Sequence, residues 1–119
     1  MLFRSAEEAE EAALHRDTLS ARMAELLDGG ALLCLPTAPG IAPSCEEAAE
    51  KFREHRSRVL SLTCFAGHAG LPQITLPLAR HQGCPIGLSL IAARGRDMTL
   101  LAFAERFAAE GGAADSASF

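Results

Sequence analysis

Apolar residues recur at helical spacing in three long stretches of the chain, and short continuous apolar runs lie between them. In the first stretch Leu19, Met23 and Leu26 stand at i, i+4 and i+7, and Leu27 widens the stripe. Glu7, Glu10, Glu11, Arg16, Asp17 and Arg22 occupy the polar face. This spacing predicts a helix from about Ala6 to Leu27. Ser5 followed by Glu8 has the spacing of a capping box, in which each side chain takes an amide that the first turn leaves unpaired. Asp28-Gly29-Gly30 ends the helix, because glycine accepts the left-handed conformation that closes a last turn. Ala31-Leu-Leu-Cys-Leu35 follows as an unbroken apolar run, which predicts a strand buried on both faces. The loop Pro36–Pro43 then carries three prolines that hold it extended.

The second helical stretch runs from about Cys45 to Ala66 and is opened by Ser44 and Glu47, again at capping-box spacing. Phe52, Val59 and Thr63, with Leu60 and Ala66 beside them, form its apolar stripe. Lys51, Arg53, Glu54, Arg56 and Arg58 lie toward water, and Gly67 and Gly70 terminate the helix. Gln73–Leu78 and Ile86–Ala92 read as strands. The Gly-containing connector between them, Ala79–Pro85, suits a hairpin better than a crossover. Asp97 caps a last helix, about Met98–Glu110, that buries Leu100, Leu101, Ala104, Phe107 and Ala108. Gly111-Gly112 ends it, and residues 113–119 form a loose tail. No repeat or linker divides the chain, so residues 1–119 read as a single α/β unit.

Composition narrows the function. The 119 residues are 49% hydrophobic and 22% charged, which argues against disorder. They include six Phe but no Trp or Tyr, so a core must be built from Leu, Ile and Ala, with little area per residue. Net charge is −4. Without a basic stripe or an aromatic ladder, nucleic acid is not a partner. No apolar run approaches the ~18 residues of a membrane helix. The start, Met1–Glu8, has no apolar signal core and turns acidic at once, which predicts a soluble, cytoplasmic chain.

Cys34, Cys45, Cys64 and Cys84 are 11, 19 and 20 residues apart, and no Cys-x-x-Cys occurs. With no secretion signal, a disulfide framework is not expected. Zinc needs clustered thiolates or imidazoles, and His15, His55, His68 and His81 are as scattered as the cysteines. Neither a metal nor a cofactor is expected.

Four segments in a fixed order carry a family resemblance. They are the helix end, strand and proline loop of Asp28–Pro43, the block Leu62–Pro77 with Ala69-Gly-Leu-Pro72, the run Cys84-Pro-Ile-Gly-Leu-Ser-Leu-Ile91, and the helix Arg96–Phe107. Together they resemble the C-terminal part of the amidase-signature family, whose members hydrolyse the C–N bond of carboxamides. The match covers about Arg16–Ala109. Two departures stand out: Phe65-Ala-Gly-His68 lacks the Asn common just before Ala-Gly-Leu-Pro, and Ser89 stands where Gln is common. The pattern is nearest the indoleacetamide-hydrolase-like branch. The resemblance implies three helices packed on a few strands of an incomplete mixed sheet.

The family works through a Ser–cis-Ser–Lys triad that the resemblance places upstream of these segments. A nucleophilic Ser of this kind needs a second Ser to relay its proton and a buried, neutral Lys to accept it. This sequence has no adjacent serines, no Gly/Ser-rich loop for an oxyanion, and one lysine, Lys51, set among Glu47, Glu50, Glu54 and Arg53. Lys51 is expected to be a solvated surface ammonium, and the chain alone is expected to lack amidase activity. Cys64 and His68, at i and i+4, have the spacing of a nucleophile and its base. Gly67 between them favours a packed thiol and a turn imidazole instead.

In intact members the helix end before Gly-Leu-Pro helps wall the substrate pocket. That resemblance assigns substrate contact to Thr63, Cys64, Phe65 and His68, and leaves Gly40 and Gly87 backbone roles. The leading expectation is therefore an amidase portion without its catalytic region, taking a small carboxamide only when an upstream segment completes it. A second is a non-catalytic module that self-associates through the edges of Ala31–Leu35 and Gln73–Leu78. A third, a cysteine-dependent enzyme, rests on Cys64 and His68 alone.

Overall fold

The computed structural model describes residues 5–111, so the loose tail expected over 113–119 and the chain's first four residues lie outside the described region. Helix α1 spans Ala6–Leu26, and the Ser5 hydroxyl accepts from the Glu8 amide at 3.2 Å, so the first cap forms as its spacing predicts. A 3-10 turn at Asp28–Gly30 follows, with φ of +67° at Gly29 and +86° at Gly30. Both glycines thus occupy backbone conformations that side chains resist.

Strand β1 is Leu33–Pro36, helix α2 is Ala49–Ala69, strand β2 is Gln73–His81, strand β3 is Cys84–Ile91, and helix α3 is Asp97–Gly111. The sheet is antiparallel throughout, in the order β1-β3-β2. Leu33 and Gln73 both pair with Ile91, while Leu35 and Thr75 both pair with Ser89. Because side chains alternate across a strand, Leu33, Leu35, Thr75, Ser89 and Ile91 share one face and Cys34, Pro36, Ile74, Leu88 and Leu90 the other. The first face meets α1 and the C-terminal end of α2 through Met23, Leu27, Ala66, Ala69 and Ile91. The second meets α3 through Leu90, Ala92 and Leu100, with Ile74 and Leu76 beside them. The order is three layers, helix pair, sheet and single helix.

Four local expectations change. The second helix starts at Ala49, not Cys45, with no side-chain cap at Ala48. Ser44 instead closes a turn: its hydroxyl accepts from the Glu46 amide at 3.3 Å and its carbonyl from the Glu47 amide at 3.1 Å. Gly67 lies inside the helix, and Gly70 alone closes it, at φ +63°, with the Leu71 amide donating to the Ala66 carbonyl at 2.9 Å. The seven-residue connector shrinks to Gln82-Gly83. Both residues have positive φ (+52° and +75°), which gives the mirror-image turn that matches strand twist. Finally, β1 is an edge strand with alternating burial, not one buried on both faces.

The body is thin. Its extents are 56 × 44 × 16 Å and its radius of gyration 17.3 Å, against about 13.5 Å for a compact chain of this length. Its accessible surface is 8970 Å², where a folded monomer of this mass has about 6,200 Å². The excess includes large apolar side chains: Leu14, Leu26, Phe52, Leu60, Met98, Leu101, Phe103 and Phe107 are all exposed. Leu101 and Phe107 were expected in the core. Among the described residues of α3 only Leu100 and Ala104 are fully buried, and Phe103 and Phe107 stack on each other with ring centres 6.0 Å apart.

Candidate functional site

The C-terminal turns of α2 carry the four expected contact residues, and their surroundings differ. The Thr63 hydroxyl donates back to the Val59 carbonyl at 3.0 Å. The Cys64 thiol points to the Ser61 carbonyl at 3.8 Å. Phe65 packs against the cluster of Met23, Leu27, Ala66, Ala69 and Ile91, and His68 is exposed. Because the helix runs on to Ala69, His68 sits in its last turn and not in a loop. Cys64 and His68 therefore occupy successive turns of one face, yet no hydrogen bond joins thiol and imidazole.

What fixes this helix end is a pair of guanidinium groups. The last carbonyls of a helix have no partners within it. Here Arg16 Nε donates to the His68 carbonyl at 3.2 Å, Arg94 Nη2 to the Ala69 carbonyl at 3.3 Å, and Arg94 Nε to the Gly70 carbonyl at 3.4 Å. Cations also suit the negative end of the helix dipole. Arg16 comes from α1 and Arg94 from the segment after β3, so three elements converge where the chain turns into Gly70-Leu71-Pro72. A cleft of about 540 Å³ opens there, lined by Ala69, Leu71, Arg94, Arg96, Asp28 and neighbouring residues of α1.

Lys51 is exposed on α2 beside Glu47, Glu54, His55 and Arg58, and Glu54 and Arg58 form an ion pair at 2.6 Å. Among the described residues no group of three or more His, Cys, Asp or Glu is placed to hold a metal ion, and none of the helices is long and apolar enough to cross a membrane.

A further polar cluster escapes sequence reasoning. Ser89, with no exposed surface, meets Thr37 at 2.7 Å and Thr75 at 3.1 Å, oxygen to oxygen. Thr37, Thr75 and Ser89 come from three strands or strand ends and are 38 and 14 residues apart. Only the strand register brings them together. The one signal in the sequence is the polar Ser89 at the centre of an otherwise apolar run.

Comparison with known proteins places this arrangement. The family described as Amidase matches residues 3–101. The chain is 33% identical over 94 residues to a protein named Amidase 1 from Arabidopsis thaliana, covering 79% of this chain and 22% of that one. Indoleacetamide hydrolase from Pseudomonas savastanoi is 40% identical over 70 residues, covering 59% of this chain and 15% of the relative. The chloroplastic outer envelope protein 64 of Arabidopsis thaliana is 32% identical over 95 residues, covering 80% and 16%. A structure titled "Crystal structure of amidase" superposes with a TM-score of 0.78 at 26% identity, covering 89% of this chain and 25% of that one. The chain spans about a fifth of the length of the curated amidases it matches. With a family match across most of its length and a solved amidase superposing on 89% of it, the chain belongs to the amidase family.

Proposed function

We propose that these residues form the C-terminal portion of an amidase-type hydrolase of carboxamide C–N bonds, and that they are inactive without the portion carrying the nucleophile. The observation that carries this reading is chemical. The sequence holds four family segments in order but no adjacent serines, and its single lysine is exposed among carboxylates. The surplus of exposed apolar surface supports the second half, since a body of this shape has the area of an unfinished core.

In the completed enzyme Thr63, Cys64, Phe65 and His68 would wall the substrate, held by Arg16 and Arg94 at the end of α2. A relative that hydrolyses indoleacetamide makes that compound the first to try. Ammonia release from indoleacetamide by this chain, above a mock preparation, would overturn the proposed inactivity. A cytoplasmic location is part of the proposal. Likeness to an outer envelope protein makes cell fractionation the direct check, and recovery with membranes would reject it.

The exposed apolar side chains favour one second reading, a non-catalytic module that self-associates through the edges of β1 and β2. A monodisperse dimer that melts cooperatively would support it. A chain that melts cooperatively while it stays monomeric would support the amidase portion.

A further inference from the structure

We infer that the tip of the β2–β3 hairpin is a binding site for a soft metal ion, copper(I), held between the Cys84 thiolate and the His81 imidazole. The strand register puts these two residues directly opposite each other. Side chains so placed share a face, with Cβ atoms about 5 Å apart. Metal bonds to thiolate sulfur and imidazole nitrogen are roughly 2.0–2.3 Å long, so a two-coordinate ion needs ligand atoms about 4 Å apart, a span that facing side chains reach. The frame is set before any ion arrives. Gln82 and Gly83 hold the two-residue turn at φ +52° and +75°, and Arg80 Nη1 donates to the Gly83 carbonyl at 3.1 Å. Cys84 is half-buried, His81 is exposed, and neither side chain has a hydrogen-bond partner among the described residues.

The pair also selects the ion. Among the described residues no third His, Cys, Asp or Glu joins it in a metal-binding group, so the four-ligand shell of structural zinc is not supplied. Copper(I) accepts two ligands, and thiolate with imidazole is a pair that suits it. On binding, the thiol proton leaves to solvent and the thiolate balances the single charge of the ion. The other cysteines lack this arrangement. Cys34, the second cysteine in the sheet, stands opposite Leu90. Cys64 has His68 one turn ahead on α2, but its thiol is turned back to the Ser61 carbonyl at 3.8 Å, away from that imidazole. Cys45 lies in the turn that Ser44 opens. Access is open as well, since β1 pairs with β3 only over Leu88–Ile91 and no third strand reaches the hairpin tip. The site does not depend on the amidase reading.

The test is a titration of the 119-residue chain with copper(I) in oxygen-free buffer, followed by backbone amide chemical shifts and by competition with the chelator bicinchoninate. The first equivalent should shift the amides of His81–Cys84 before those near Cys34, Cys45 or Cys64. His81→Ala should weaken that first equivalent about tenfold or more, since even groups behind a metal ligand carry that much affinity. Cys84→Ser should abolish it, and His68→Ala should leave it unchanged. First shifts at Thr63–His68, shifts spread evenly over all four cysteines, or unchanged affinity in His81→Ala overturns the site. If a tip variant does not fold, the order of shifts in the unsubstituted chain decides alone.

Discussion

The two halves of α2 belong to different environments although one apolar stripe runs along both. At its C-terminal end Ala66 and Ala69 are buried against Met23, Leu27 and Ile91, and two arginines hold the last carbonyls. Earlier along the helix Phe52 and Leu60 stand 55% and 54% exposed. The stripe runs further along α2 than the contact it makes with α1 and the sheet. Helix α3 repeats the contrast, with Leu100 buried and Met98 76% exposed. A residue at core spacing therefore marks what a helix face needs, and the neighbouring elements decide whether the need is met here.

That contrast can be broken most strongly at its buried pole. Ile91 has no exposed surface and joins both helices to the central strand. Ile91→Ala should cost about 3 kcal/mol in a urea melt, from lost transfer energy and the cavity left behind. A loss below about 1 kcal/mol would mean that the packed end is as loose as the outer face. Next comes Ser89→Ala, which strips Thr37 and Thr75 of their common partner and should cost about 1.5 kcal/mol by thermal unfolding.

Gly70→Ala should cost about 1 kcal/mol. The site has φ +63°, and the new Cβ would lie 2.5 Å from an Arg94 nitrogen, dislodging the clamp on α2. Faster hydrogen exchange confined to Ala66–Leu71 would locate the effect. At the exposed pole, Leu60→Ser should change the chain's stability by less than about 0.5 kcal/mol. On the proposed reading it should matter much more in a completed enzyme whose further elements cover α2, so a similar small effect there would remove the contrast.

Much of the fold is legible in the sequence because local chemistry decides it. Ser5 caps α1, Gly29 and Gly30 turn out of it, Gly70 closes α2, and the two strands either side of a short Gly turn pair as a hairpin. The misses have a common cause in non-local context. Ser44 and Glu47 have the capping spacing, but the chain uses it for an isolated turn. Ala31–Leu35 looks doubly buried, and its sequence does suit an interior strand, yet here β1 has a neighbour on one side only. Gln82 at positive φ does not advertise a two-residue turn as Asn would. Of the candidate site, the position of Thr63, Cys64, Phe65 and His68 near a helix end could be read ahead. The Arg16 and Arg94 clamp and the hydroxyl cluster could not, since each joins residues far apart in the sequence through register and packing.

The most direct test of this contrast, and of the enzyme portion it implies, is ammonia release from indoleacetamide measured on two proteins. One is the 119-residue chain; the other is a fusion in which it replaces the matching stretch of the solved amidase. The account predicts no release above a mock preparation from the chain alone and measurable release from the fusion. Turnover by the chain alone, or a folded fusion without activity, would contradict it.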